Sequence, residues 1–85
     1  MSNDRFAMYP NPARDKVNIE LFNEAKSASM LEILDLQGRT VKQVQTKGAL
    51  SDRYEISTAD LSSGMYIVKV HFGDQVSTQK LLISK

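Results

Sequence analysis

The sequence contains no cysteine, no tryptophan and a single histidine, His71. The absence of cysteine excludes disulfides, thiolate chemistry and thiolate metal sites. One histidine makes no histidine metal cluster. His71 falls on the outer face of a strand pattern, where it is expected to be solvated rather than part of a hydrolase triad. Three tyrosines and three phenylalanines leave little for a stacking platform. Eleven basic residues against ten acidic ones give a net charge of +1, so no basic stripe points to nucleic acid. No apolar run approaches the roughly 20 residues of a membrane-spanning helix. The opening Met1-Ser2-Asn3-Asp4-Arg5 is followed by no apolar segment of the kind a signal peptide carries.

What is present fits one domain over residues 1–85, with residues 1–5 expected to be flexible or derived from expression. Its 41% hydrophobic and 25% charged content is that of an ordinary globular domain. Phe6 and Met8 mark a short strand from Asp4 to Tyr9. Tyr9-Pro10-Asn11-Pro12 stops it with a stiff, extended corner, since each proline fixes φ and restricts the residue before it. Val17, Ile19 and Leu21 alternate with polar residues as a half-buried strand. In the polar stretch Asn23 to Ser29, Glu24-Ala25-Lys26 has room for a helical turn too short to persist alone. From Met30 to Leu36, Leu31 and Ile33 share one face while Leu34 and Leu36 share the other. That strand is either covered on both faces or bulged.

Asp35-Leu36-Gln37-Gly38-Arg39 reads as a turn, with Gly38 at positive φ and the Asp35 carboxylate accepting backbone N–H groups. A strand over Val41 to Gln45 completes a hairpin. Thr46 to Asp52 is loop, hinged at Gly48, and Tyr54 and Ile56 face inward on the next strand. Ser57 to Gly64 reads as one capped helical turn, with Leu61 plugging the corner and Gly64 at its C-terminal position with a left-handed or otherwise positive φ. Finally, Met65 to Phe72 and Gln75 to Ile83 form a hairpin about Gly73-Asp74. Its register sets Phe72 opposite Gln75, Val68 opposite Gln79 and Tyr66 opposite Leu81. Tyr66, Val68, Val70, Phe72, Leu81 and Ile83 then face inward, and Val76, Thr78, Lys80 and Leu82 outward.

About seven short strands separated by turn residues predict an all-β fold, an immunoglobulin-like antiparallel β-sandwich. Leu61-x-x-Gly64-x-Tyr66 resembles the tyrosine corner of such sandwiches, and the Tyr66 hydroxyl is expected to bond backbone in the Thr58–Leu61 turn. No enzyme motif stands out. Asp52 with Glu55, and Asp60 with Asp74, are loop carboxylates of the kind that solvate a surface. Asp35 and Asp60 lack the run of alternating oxygen ligands that calcium needs. Gly38-Arg39 lacks the glycine-rich strand-to-helix junction of a phosphate loop. The expectation is a non-enzymatic domain with no cofactor, no metal and no small-molecule substrate.

Four short motifs occur in one order: Tyr9-Pro10-Asn11-Pro12, Leu34-Asp35-Leu36-Gln37-Gly38-Arg39, Asp60-Leu61-Ser62-Ser63-Gly64-Met65-Tyr66, and Lys80-Leu81-Leu82-Ile83-Ser84-Lys85. Each alone has a plain structural reading as a corner, a hairpin turn or a strand entry. Together, over Phe6 to Lys85, they closely resemble the C-terminal sorting domain of the type IX (Por) secretion system of Bacteroidetes. The resemblance implies the last module of a larger exported protein, passing through the periplasm to the outer-membrane surface or the extracellular space. It implies three partners: a cargo domain upstream, the outer-membrane secretion machinery, and a sortase-like protease. That protease removes the domain, and the cargo is released or attached to the cell surface.

On this resemblance the address is the surface built by Tyr9, Pro10, Asn11, Pro12, Asp35, Gly38, Arg39, Leu61, Gly64 and Tyr66. The terminal motif of Lys80, Leu81, Leu82, Ile83, Ser84 and Lys85, with its free C-terminal tail, completes it, Leu81 and Ile83 being inward and the others accessible. Loss of the last two or three residues is expected to cost little core. An edge strand exposing Val76, Thr78 and Leu82 offers a homodimer contact or a receptor contact. The alternative function is an immunoglobulin-like carbohydrate-binding or spacer module of a surface enzyme, which would need exposed aromatic platforms.

Overall fold

The computed structural model describes residues 5–48 and 51–85. The expectations for Met1 to Asp4, and for Ala49 and Leu50 in the Thr46–Asp52 loop, lie outside these residues. Seven strands follow in chain order: β1 (Phe6–Tyr9), β2 (Lys16–Leu21), β3 (Met30–Asp35), β4 (Thr40–Gln45), β5 (Arg53–Ser57), β6 (Gly64–Phe72) and β7 (Gln75–Ile83). They form two antiparallel sheets, β1-β2-β5 and β4-β3-β6-β7. This is the all-β, immunoglobulin-like sandwich that the strand spacing predicts.

Alternation decides which face each strand buries, because successive side chains leave a strand on opposite sides. β6 shows it best: Tyr66, Val68, Val70 and Phe72 are buried, while Met65, Ile67, Lys69 and His71 point away from the core. Val17, Ile19 and Leu21 of β2 join Leu31 and Ile33 of β3, Ile56 of β5, and Leu81 and Ile83 of β7 in one apolar cluster. The β6–β7 register runs from Gly64 opposite Ile83 to Phe72 opposite Gln75, as the hairpin pattern requires. Gly73 takes a φ of 58° in that turn.

β3 resolves in favour of the bulge, its register against β4 shifting between Ile33 and Leu34. Leu36 leaves the strand altogether and sits in the turn, 69% exposed. The short helical turn is a 3-10 turn over Asn23–Ser27 that buries Ala25. Two buried hydroxyls tie loops to the core: Thr46 donates to the Ala28 carbonyl and Thr58 to the Arg14 carbonyl.

Three local expectations need correction. Arg5 belongs to the fold, because its carbonyl accepts the Phe22 N–H at 2.8 Å. Ser57 to Gly64 is no helical turn. It holds one Leu61 N–H to Thr58 C=O bond, and the Thr58 N–H is drawn away to the Asp15 carbonyl at 2.8 Å. Gly64 opens β6 with a φ of 151°, extended in the sense only glycine favours rather than left-handed. His71 is not merely solvated. Its Nε2 lies 2.6 Å from Glu32 Oε1 on the neighbouring strand. That hydrogen bond, aided by one from the Thr40 hydroxyl, holds the Glu32 carboxyl below its usual range despite partial burial.

Candidate recognition site

The antiparallel registers carry all four motifs to one end of the sandwich. Tyr9 pairs with Asn18 at the end of β1, Asp35 with Tyr66 at the end of β3, and Gly64 with Ile83 where β6 begins and β7 ends. The 3-10 turn, the loop after β4 and the Gly73-Asp74 turn occupy the opposite end.

The first and fourth motifs are joined directly. Beyond β1 the chain bends through Pro10–Pro12, with cis peptide bonds before both prolines, and crosses from one sheet to the edge of the other. There Ala13 makes a parallel bridge with Ile83. Its N–H donates to the Leu82 carbonyl at 2.8 Å, and its carbonyl accepts the Ser84 N–H at 2.9 Å. Asn11 extends the same seam with its side chain: Nδ2 donates to the Lys80 carbonyl at 3.2 Å and Oδ1 accepts the Leu82 N–H at 3.1 Å. A carboxamide carries one donor group and one acceptor, like a peptide group, so Asn11 serves as a rung of the ladder. The segment after β7 is therefore not a free tail. Leu81 and Ile83 are core, Ile83 at 1% exposure, while Lys80, Leu82, Ser84 and Lys85 remain exposed.

The second motif is self-contained. Asp35 Oδ1 accepts the N–H groups of Gln37 at 2.9 Å and Arg39 at 3.0 Å, and Oδ2 accepts from Arg39 Nε at 2.9 Å. The backbone N–H of Arg39, then its side chain and the N–H of Gln37, keep the Asp35 carboxyl below its usual range. Gly38 turns the chain at a φ of 86°. Each polar residue in this turn is explained by the turn itself. Leu36, at its tip, is not.

The third motif faces it. Tyr66, 7% exposed, donates its hydroxyl to the Ser62 carbonyl at 2.7 Å. The corner is thus as expected in kind, but its acceptor lies one residue beyond the Thr58–Leu61 turn. Leu61 is buried beneath it. Lys42 Nζ approaches Asp60 to 2.9 Å, and its hydrogen bond is the main reason the Asp60 carboxyl sits below its usual range. Lys85 closes this region: its N–H donates to Ser63 Oγ at 3.1 Å and its Nζ to the Ala59 carbonyl at 2.7 Å.

Between the Asp35–Arg39 turn and the Asp60–Tyr66 loop lies an open groove of about 430 Å³. Exposed Leu36, Val41 and Met65 line it beside the paired charges. Lys42 and Ala13 are members of this end that lie outside all four motifs. Nothing in the sequence signals them, since each acts on a partner brought close only by the fold.

The sequence model of the secretion system C-terminal sorting domain matches residues 7–84. The chain belongs to this family. It is therefore a sorting-signal domain of type IX secretion, carried by an exported protein. Among curated proteins no match was found. Among solved structures, the CBM51-2 and INT domains from Clostridium perfringens ZmpB are similar, with a TM-score of 0.55 and 23% identity. That match covers 87% of this chain and 20% of the other, so this chain spans about a fifth of its length. At that identity the likeness speaks for the fold alone.

Proposed function

We propose that this sorting domain is a non-catalytic address whose readable surface is the motif-bearing end of the sandwich. The observation that supports this is the convergence there of four motifs spread from Tyr9 to Lys85. On this reading, the Tyr9–Pro12 corner, the turn of Asp35, Gly38 and Arg39, the loop of Leu61, Gly64 and Tyr66, and residues Lys80 to Lys85 form one folded surface. The outer-membrane machinery recognises it, and a sortase-like protease then cuts between cargo and domain. The cargo is released or attached to the cell surface.

The partners are thus the cargo upstream, the secretion machinery and its protease. A second copy would pair along Val76–Thr78, where among the described residues the outer rungs of β7 take no partner. The test is a passenger fused upstream of residues 1–85 in a host that has the secretion system. The passenger is expected outside the cell; retention in the periplasm with a folded domain would overturn the reading.

A further inference from the structure

The wall of the groove formed by Ala59 to Ser63 has little regular structure of its own, beyond the turn bond from Leu61 to Thr58. Four ties hold it. Lys42 pairs with Asp60, and the Tyr66 hydroxyl holds the Ser62 carbonyl from the core side. The other two come from a single residue: Lys85 Nζ binds the Ala59 carbonyl and Lys85 N–H binds Ser63 Oγ. They grip the first and last residues of the wall, and the Lys85 ammonium adds its attraction to Asp60 between them.

We propose that Lys85 is a positioning residue that latches the Ala59–Ser63 loop to the end of β7 and so sets the shape of the groove. This rests on the reading of that end as the address, and it changes what the last lysine is for. The machinery reads the loop, and Lys85 acts through it. Lys85 is exposed and covers no core, so its loss releases the loop without unfolding the domain. One of the three donors of the ammonium holds the Ala59 carbonyl, so the side chain is fixed at one point of the loop.

The test uses Lys85→Met, Lys85→Arg, Ser63→Ala and Ser63→Thr. Amide exchange and thermal melts are measured on the 85-residue chain, and export on the same variants behind a passenger. Lys85→Met and Ser63→Ala should each speed exchange of the amides from Ala59 to Gly64 about fivefold, the effect of one lost hydrogen bond on local opening. Both should lower export with little change in melting temperature. Lys85→Arg and Ser63→Thr, which keep the donors and the hydroxyl, should stay near the parent level. Unchanged loop exchange in Lys85→Met overturns the latch. So does normal export by Ser63→Ala, because a machinery that reads the lysine directly would ignore Ser63. If the unsubstituted fusion is not exported, the address reading fails, while the exchange measurements still decide the latch.

Discussion

Asn11 and Leu82 are successive partners on one ladder although 71 residues separate them, the Leu82 N–H reaching Asn11 Oδ1 at 3.1 Å. With the return bond from Asn11 Nδ2 to the Lys80 carbonyl, a side chain does the work of a strand residue. Asn11→Ala should cost about 1 kcal/mol, the net worth of a hydrogen bond or two at an exposed edge. Urea unfolding would measure it, and faster exchange of the Leu82 amide would locate it. An unchanged Leu82 amide would mean that the seam does not rest on Asn11.

The Tyr66 hydroxyl closes the corner on Ser62. Tyr66→Phe keeps the ring in the core and loses that bond, so it should lower stability by about 1 kcal/mol. For a domain of this size that corresponds to a melting temperature lower by roughly 4–8 °C. No shift would show that packing of the ring alone holds the corner.

Gly64 tests backbone strain without crowding. A Cβ there would meet no atom within 4 Å, so only the φ of 151° opposes it. Gly64→Ala should therefore cost about 1 kcal/mol through the backbone alone. A melting temperature equal to the parent's would contradict this.

Two truncations should part company. Deleting Ser84 and Lys85 removes exposed residues and their hydrogen bonds. Deleting Ile83 as well removes a side chain at 1% exposure and the bridge to Ala13. The longer deletion should cost several kcal/mol more, of the order of 2–5 for losing a core isoleucine. Denaturant midpoints of the two truncated chains make the comparison, and equal midpoints would argue that β7 ends before Ile83.

The acid limb of stability should report on Asp35. Its carboxyl is held below the ordinary value of 3.8 in the folded state, chiefly by the Arg39 N–H. Above 3.8 both states are ionised and the contribution is complete. As pH falls below it the unfolded chain takes up the proton first, and the contribution fades until the folded carboxyl protonates too. Unfolding at pH 7 and pH 3 should show Asp35→Asn losing less stability on acidification than the parent. An equal loss would remove Asp35 from the account.

Much of the sandwich was legible because its strongest strands alternate cleanly. Nine residues from Gly64 to Phe72, a turn glycine and an answering Leu81 and Ile83 specify the last hairpin in full. The Asp35 turn was legible because its donors and acceptors lie within five residues of one another. Long-range pairs were not. Nothing local links Asn11 to Leu82, Lys42 to Asp60 or His71 to Glu32. The Ser57–Gly64 stretch misled because the same small polar residues that cap helices also make turns. Ser84 and Lys85 read as a free tail because their partners, Ala13, Ser63 and Ala59, lie in segments far away in sequence.

On the proposed function the machinery reads the motif-bearing end and not the sandwich at large. Leu36→Ser at that end and Val76→Ser at the other both replace an exposed apolar side chain, 69% and 51% accessible, and should leave the fold intact. Each would be placed in a passenger fusion with residues 1–85 and its export compared with the parent fusion. Leu36→Ser should retain the passenger inside the cell, while Val76→Ser should export it normally. Normal export by Leu36→Ser, or a block by Val76→Ser alone, would contradict this reading.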